Sequence, residues 1–455
     1  MRFINWNINI TKITLLASIC LFILSSLILL SLQNLNPGLV LFFTPNNITY
    51  FPNSIFIDGI SLGLILLTTF LTPIIIIASS LNKKENQLCL TFFILEIILL
   101  ILFILGDIIS FYAFFEAVLF PIYFVITTWG YRIEKLAAAW YFIFFTVFTS
   151  LIFLFSIISI FSITGTISIS LLSFFEVQNS LGIFYWLGFF IAFAGKLPLI
   201  PLAIWLPLAH VESSLGGSIL LAGVLLKLGI YGILRLNLSI FSIVSLGFTP
   251  TIWLLGILAT IQSSLSTLRQ TDLKRIVAYS SIAHIAIAFI GLFSSNILGL
   301  TSSYFLGLAH AFSSSGMFII VTLLYFRYGS RSIRYFRGAA ILNPLISLFF
   351  LLFTLANVGF PITANFIGEF FVFQSLFVVN NLGTFFGSIS VLLCGFYSIF
   401  LINRVCFGIA IKSGAPKLDI SRKEFFLCIP LVIVILILGL KPNFALILPE
   451  SSLFI

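Results

Sequence analysis

Polar residues punctuate this chain. From residue 13 to residue 441, apolar runs of about twenty residues recur, closed by short clusters of Asn, Ser, Gly, Pro, Lys or Arg. About twenty apolar residues, wound as a helix rising 1.5 Å per residue, cross the ~30 Å hydrocarbon core of a bilayer. The ten-residue alternation of a membrane-spanning strand is not found, so helices are expected rather than a barrel. The pattern predicts thirteen crossings: 13–32, 55–81, 88–105, 108–128, 136–160, 181–204, 213–236, 249–268, 276–294, 299–325, 340–379, 383–407 and 425–441. The 340–379 stretch is too long for one straight span and has Gly359 and Pro361 at its middle, so it is read as discontinuous. Pro198 and Pro201 break the 181–204 crossing in the same way. Broken helices at membrane depth are tolerated where they are buried in protein or line a wet cavity.

Composition agrees with that reading. Of 455 residues, 61% are hydrophobic and 8% charged, where a soluble domain has about a quarter charged. The net charge of +9 does not point to nucleic acid, because the basic residues sit in short loops between spans. With alternating crossings, eighteen of the 22 Lys and Arg fall on one side, among them Arg2, Lys12, Lys83, Lys84, Lys274, Arg331, Arg404, Lys412 and Lys417. The other side has only Arg235 and Lys441, and Lys196 and Lys227 lie inside spans. The positive-inside rule then puts the N-terminus in the matrix or cytoplasm. The basic run 327–338 reads as a lipid-facing loop. The five cysteines show no CxxC, haem or iron–sulfur spacing, so no metal or redox centre is expected. No cleavable signal or transit peptide is expected before the first span, which fits synthesis beside its membrane.

The order of crossings has an internal symmetry. Residues 88–236 make five crossings with a broken helix fourth, and residues 249–407 do the same. Five is odd, so the second copy is inverted, as in many ion transporters. The chain divides into N-terminal helices (1–87), a first repeat (88–236), a second repeat (249–407) and a C-terminal loop and helix (408–455).

The candidate chemistry lies in the ionisable residues inside the spans, which are rare and usually functional. Glu116 lies in GDIISFYAFFEAVLFP, with Tyr112 one turn before it. It reads either as a structural carboxylate or as the charge partner of a buried lysine. Lys196 is the candidate central proton carrier, because moving a carboxylate near a desolvated amine loads or discharges it. The competing reading is a lysine snorkelling to the interface. Lys227, with Gly223 and Tyr231 on its face, is expected to relay. His284 shares a face with Ser280, and His310 with Gly307 and Ser314; His210, followed by Glu212, is placed in the link between the two lysine helices. Two histidines on nearby helices with serine beside them favour a proton wire over isolated core groups. Glu369, just after the second break with Asn365 one turn before it, is expected at the far end. Glu96 either tunes Glu116 or pairs with a hydroxyl. No nucleophile–base pair or phosphate loop is present, which leaves proton movement by coupled titration.

Several phrases resemble a known family: FYAFFEA (111–117), KLP (196–198), WLPLAHVE (205–212), LLKLGIYGILR (225–235), LRQTDLKRIVAYSSIAH (268–284) and the GE of 368–369. They are similar to the antiporter-like membrane-arm subunits of proton-pumping NADH:ubiquinone oxidoreductase (respiratory complex I), the subunit 4 family above all, from about residue 55 onward. LRQTDLK resembles the mitochondrial members more than the plastid ones. The resemblance implies that Glu116 is the glutamate partner, Lys196 the broken-helix lysine, Lys227 the connecting lysine and Glu369 the terminal carboxylate. It implies that NAD, FMN, iron–sulfur clusters and ubiquinone belong to other subunits. The implied partners are neighbouring antiporter-like subunits and membrane lipids such as cardiolipin. The implied location is the mitochondrial inner membrane, ahead of a bacterial inner membrane. The chain departs from the family at Ser213 and Ser214 (usually Ala-Pro), at Ala203 (often His) and at Leu208 (often Lys). The family shows fourteen crossings, and the first is read as absent here. The alternatives are a subunit of a stand-alone cation/proton antiporter, or an assembly subunit whose charges only hold helices together.

Overall fold

The computed structural model describes residues 7–35, 41–43, 55–79, 85–173, 180–409 and 418–453. Its longer helices, in chain order, are α1 (Asn7–Leu35), α2 (Gly59–Ser79), α3 (Glu85–Ile104), α4 (Ile108–Trp129), α5 (Lys135–Thr164), α6 (Ser180–Lys196) and α7 (Trp205–Glu212). There follow α8 (Leu215–Ile240), α9 (Ser242–Arg269), α10 (Leu273–Leu292), α11 (Ile297–Tyr328), α12 (Pro344–Val358), α13 (Ala364–Val379), α14 (Asn381–Cys406), α15 (Arg422–Leu440) and α16 (Asn443–Leu453). Eleven helices among the described residues are long and apolar enough to cross a membrane. The half-helix pairs α6/α7 and α12/α13 supply two more crossings, so thirteen form, in the order the apolar runs indicate. One departure from an all-helical chain is a short antiparallel pair, β1 (Leu41–Phe43) with β2 (Ile55–Ile57), in register Phe42 to Phe56. The expected 55–81 span therefore starts as a strand, and its helix begins at Gly59. The basic residues Arg2, Lys83, Lys84, Lys412 and Lys417 lie outside the described residues.

The helices sort into an inner and an outer set. α2, α8, α10 and α11 are buried along nearly their whole length, whereas α1, α9, α14 and α15 bury only a minority of theirs. The outward faces carry Phe124, Trp140, Phe144, Phe148, Phe155 and Leu254. Such a surface suits hydrocarbon rather than water. The inner set therefore encloses the polar side chains.

Both breaks follow from local chemistry. α6 ends at Lys196 because Pro198 and Pro201 have no backbone N–H to continue the ladder. The freed Gly195 carbonyl accepts a hydrogen bond from Trp205 Nε1 at 2.9 Å, which ties the two halves together. The second half runs to Glu212, so the expected end at residue 204 is corrected, and His210 is helical rather than in a link. α12 ends at Gly359, whose φ of +78° is the left-handed conformation that terminates helices. Ile362 also has a positive φ, +84°, uncommon for a β-branched residue. A Cβ on Gly439 of α15 would lie 1.9 Å from the Ile362 carbonyl oxygen, so only glycine lets α15 approach this turn.

The second and third crossings of each five-helix series are tied at one end by the same device. An isolated antiparallel bridge joins Asp107, before α4, to Ser168, after α5. Another joins Asp272, before α10, to Ser332, after α11.

Candidate functional site

At one end of the interior, Lys196 is 2% exposed and its ammonium lies 4.3 Å from the centroid of the Phe115 ring. A snorkelling lysine would reach outward; this one is held inside by its place on the last turn of α6. Glu116, one residue on from Phe115, faces it together with Ser150 of α5, and Tyr112 faces the same carboxylate. No salt bridge closes between Glu116 and Lys196 among the described residues, and neither Lys196 Nζ nor Glu116 Oε1 has a protein hydrogen-bond partner. The two charges interact across a gap. Glu96 stands apart: Thr72 Oγ1 donates to its Oε1 at 2.7 Å, so of the two expected roles the hydroxyl partnership forms.

Lys227 lies in the centre of α8, 1% exposed. The preceding turn, Leu221–Leu225, is wound as a π-helix, an irregularity frequent at functional sites. Lys227 Nζ donates to the Ala222 carbonyl of that turn at 2.6 Å. Glycines make the room: a Cβ on Gly223 would lie 2.5 Å from Leu71 of α2, and one on Gly307 of α11 would lie 3.8 Å from Lys227 Cγ.

Beyond Lys227 the histidines converge. His310 lies within electrostatic reach of Lys227, His284 and His210. Its ring centroid is 5.3 Å from that of His284, and neither of its ring nitrogens has a hydrogen-bond partner among the described residues. His284 Nδ1 shares a hydrogen bond of 2.7 Å with Glu369 Oε1. Asn365 Nδ2, one turn before Glu369, donates to Ser313 Oγ at 3.1 Å. His210 stacks on Phe318 with centroids 4.7 Å apart, and both its nitrogens are also without a hydrogen-bond partner among the described residues.

The expected string thus forms as two clusters: Glu116 with Lys196, and Lys227 with the three histidines and Glu369. The seam of α6 against α8 is apolar. Leu197 and Phe193 press on α8 where a Cβ at Gly229 or Gly232 would lie 2.4 and 2.2 Å away.

Sequence reasoning missed four residues. Lys274 and Arg331 were expected in basic loops, but they are 1% and 5% exposed and turn inward. Lys274 Nζ donates to the Ser213 carbonyl and Arg331 Nη1 to the Val211 carbonyl, each at 2.8 Å, so two cations cap the C-terminus of α7. Arg331 also packs between the rings of Tyr131 and Tyr325. Within the same run Arg327 pairs with Glu424 at 2.7 Å, so part of 327–338 packs inward, while Arg334, Tyr335 and Arg337 stay exposed. Glu212 is buried beside Lys274, and a cleft of about 190 Å3 lined by Glu134, Tyr141, Leu208, Glu212 and Arg275 opens next to it. The other two are Cys394 and Tyr397, one turn apart on α14, behind His284.

Thirteen crossings, two broken helices and ionisable side chains held inside the bundle define an ion-translocating type of membrane protein. The model of one such family, NADH:quinone oxidoreductase/Mrp antiporter, TM, matches residues 106–396. The chain is 43% identical over 433 residues to NADH-ubiquinone oxidoreductase chain 4 of Chondrus crispus, covering 93% of this chain and 87% of that one. It is 41% identical over 390 residues to the same chain of Marchantia polymorpha, covering 85% and 79%. It therefore belongs to the NADH-ubiquinone oxidoreductase chain 4 family. Its fold is also that of a chain in the structure titled respiratory complex I from Thermus thermophilus with bound NADH, at a TM-score of 0.88 and 24% identity, covering 98% of this chain and 94% of that one.

Proposed function

We infer that this chain is a membrane-arm subunit of a respiratory NADH:ubiquinone oxidoreductase and that it translocates protons while redox chemistry proceeds in other subunits. The observation that carries this is the buried series Lys227–His310–His284–Glu369, in which each group lies within electrostatic or hydrogen-bonding reach of the next. Stability gives little reason to keep such a series in a low-dielectric interior, since apolar replacements of buried ion pairs are often as stable. In this reading Glu116 moves relative to Lys196, which changes the proton affinity of the lysine. The proton passes to Lys227, then by His310 and His284 to Glu369. The apolar seam at Phe193 and Leu197 must wet or shift for a proton to pass from one lysine to the other, and closed it prevents leakage.

Residues 88–236 and 249–407 act as two half-channels of an inverted repeat, a reading that the paired bridges at Asp107 and Asp272 support. NAD, FMN, iron–sulfur clusters and ubiquinone are assigned to other subunits, and neighbouring antiporter-like subunits and lipids such as cardiolipin to the outer helices. The membrane is taken to be the mitochondrial inner membrane, with the N-terminus in the matrix. The identity to chain 4 over 93% of the length favours this assignment over a stand-alone antiporter. The test is Lys196→Met in the assembled complex. Loss of pumping-coupled turnover is expected, and unchanged coupled turnover would remove the assignment.

A further inference from the structure

The series that ends at His284 and Glu369 does not exhaust the polar groups there. His284 presents Nδ1 to Glu369, and its second nitrogen, Nε2, lies 3.7 Å from Cys394 Sγ. The same sulfur lies 2.8 Å from the hydroxyl of Tyr397, one turn along α14. That hydroxyl in turn reaches Ser280, one turn from His284 on α10. Cys394, Tyr397 and Ser280 are all at most 4% exposed.

Beyond Tyr397 there is a small cavity of about 10 Å3, lined in part by Ser280, Thr354, Asn357, Tyr397 and Ser398. That volume is close to the minimum for one water molecule, and its polar lining supplies the partners a water needs. Its position along the helices is informative. Its other walls include Ile276 and Leu401, which neighbour Arg275 on α10 and Arg404 on α14. The cavity therefore lies towards the flank of the bundle that carries the basic loops.

We propose that Cys394 and Tyr397 form a branch of the proton path, joining the His284–Glu369 pair to the basic-loop flank independently of Lys227. The inference rests on the proton-translocating reading. A water in the cavity takes a proton from the basic-loop flank as it gives one to the Tyr397 oxygen, which releases its own to Cys394 Sγ. The thiol passes its proton to His284 Nε2, and Nδ1 delivers one to Glu369 Oε1. Every member takes one proton and gives one up, so no charge remains on the tyrosine or the cysteine. The branch gives the second half of the chain its own exchange with the basic-loop compartment, so Glu369 reloads without waiting for Lys227.

The experiment uses the intact complex carrying Cys394→Ala, Cys394→Ser, Tyr397→Phe or Lys196→Met, and measures NADH:quinone turnover, proton pumping and complex content. Tyr397→Phe removes one oxygen and keeps the ring; Cys394→Ser keeps an atom that both accepts and donates a proton. In assembled complex, Cys394→Ala and Tyr397→Phe should each lower coupled turnover about tenfold. That is less than the ~10²-fold typical of removing a positioned proton-transfer group, since water substitutes in part. Cys394→Ser should restore most of the rate, which a purely space-filling role would not distinguish from alanine. Full rates for Tyr397→Phe, or equal rates for the serine and alanine variants, would overturn the branch. If Lys196→Met abolishes coupled turnover in the same series, the underlying reading survives that failure; if Lys196→Met is also unaffected, the underlying reading fails with the branch.

Discussion

His284 Nδ1 and Glu369 Oε1 lie 2.7 Å apart, both buried, and join the straight helix α10 to the second half of the broken helix α12/α13. A hydrogen bond with an ionised partner is shorter and roughly twice as strong as a neutral one. Removing one member of a buried pair strands the other at about 3–5 kcal/mol. Glu369→Gln keeps the shape and an acceptor oxygen for His284 but cannot hold an exchangeable charge. The variant complex should assemble and yet lose coupled turnover by about a hundredfold. Native-gel content together with proton pumping checks this, and normal pumping would show Glu369 to be structural.

Lys227 should separate chemistry from packing. Among the described residues its one hydrogen-bond partner is the Ala222 carbonyl in the π-turn, so Lys227→Met leaves that carbonyl to other donors at roughly 1–3 kcal/mol. The complex should be modestly less heat-stable, whereas proton pumping per NADH oxidised should drop sharply. A matched fall in the two quantities would instead point to misfolding.

Gly359 is constrained twice. Its φ is +78°, and a Cβ there would lie 3.2 Å from Glu369 Oε2. Gly359→Ala should destabilise by about 1–2 kcal/mol from the left-handed backbone alone and also displace the carboxylate. Thermal melting of the purified complex reads the first effect. The second should appear as lower turnover in the fraction that stays folded.

Asp58 and Arg235 provide the contrasting case. They pair at 2.7 Å between the start of α2 and the far part of α8, and Arg235 also covers the Phe56 ring at 3.6 Å. Asp58 Oδ1 accepts from the Ser61 backbone N–H, so this carboxylate also caps α2. Asp58→Asn should lower complex content through a loss of about 2 kcal/mol, the scale of a charged hydrogen bond. Protons pumped per NADH in the remaining complex should be unchanged. A changed ratio would move this pair from scaffold to path.

Much of this was legible in the sequence because membrane burial writes itself into long apolar runs. The thirteen crossings and the Gly359–Pro361 break follow from run length and from two residues whose backbones cannot continue a helix. The end of the first broken helix did not, because Leu202–Glu212 is short, contains Pro207 and ends on polar residues that resemble a link. Lys274 and Arg331 read as loop cations since position at a span end is all that a pattern records. Their inward turn depends on the Ser213 and Val211 carbonyls, 61 and 120 residues away in the chain. Cys394 had no local signal of chemistry. Its meaning comes from α14 packing against α10, which brings the sulfur to His284 Nε2 from 110 residues away.

The central claim is that a hydrogen-bonded route joins Lys227 to Glu369 through His310 and His284, and it has a direct test in an experimental map of the assembled complex sharp enough to show ordered water. Buried polar groups are nearly always satisfied by protein or by bound water. The His310 nitrogens have no hydrogen-bond partner among the described residues, so water is predicted bonded to them and leading towards Lys227 on one side and His284 on the other. Dry apolar packing around both His310 nitrogens in every state of the turnover cycle would contradict it.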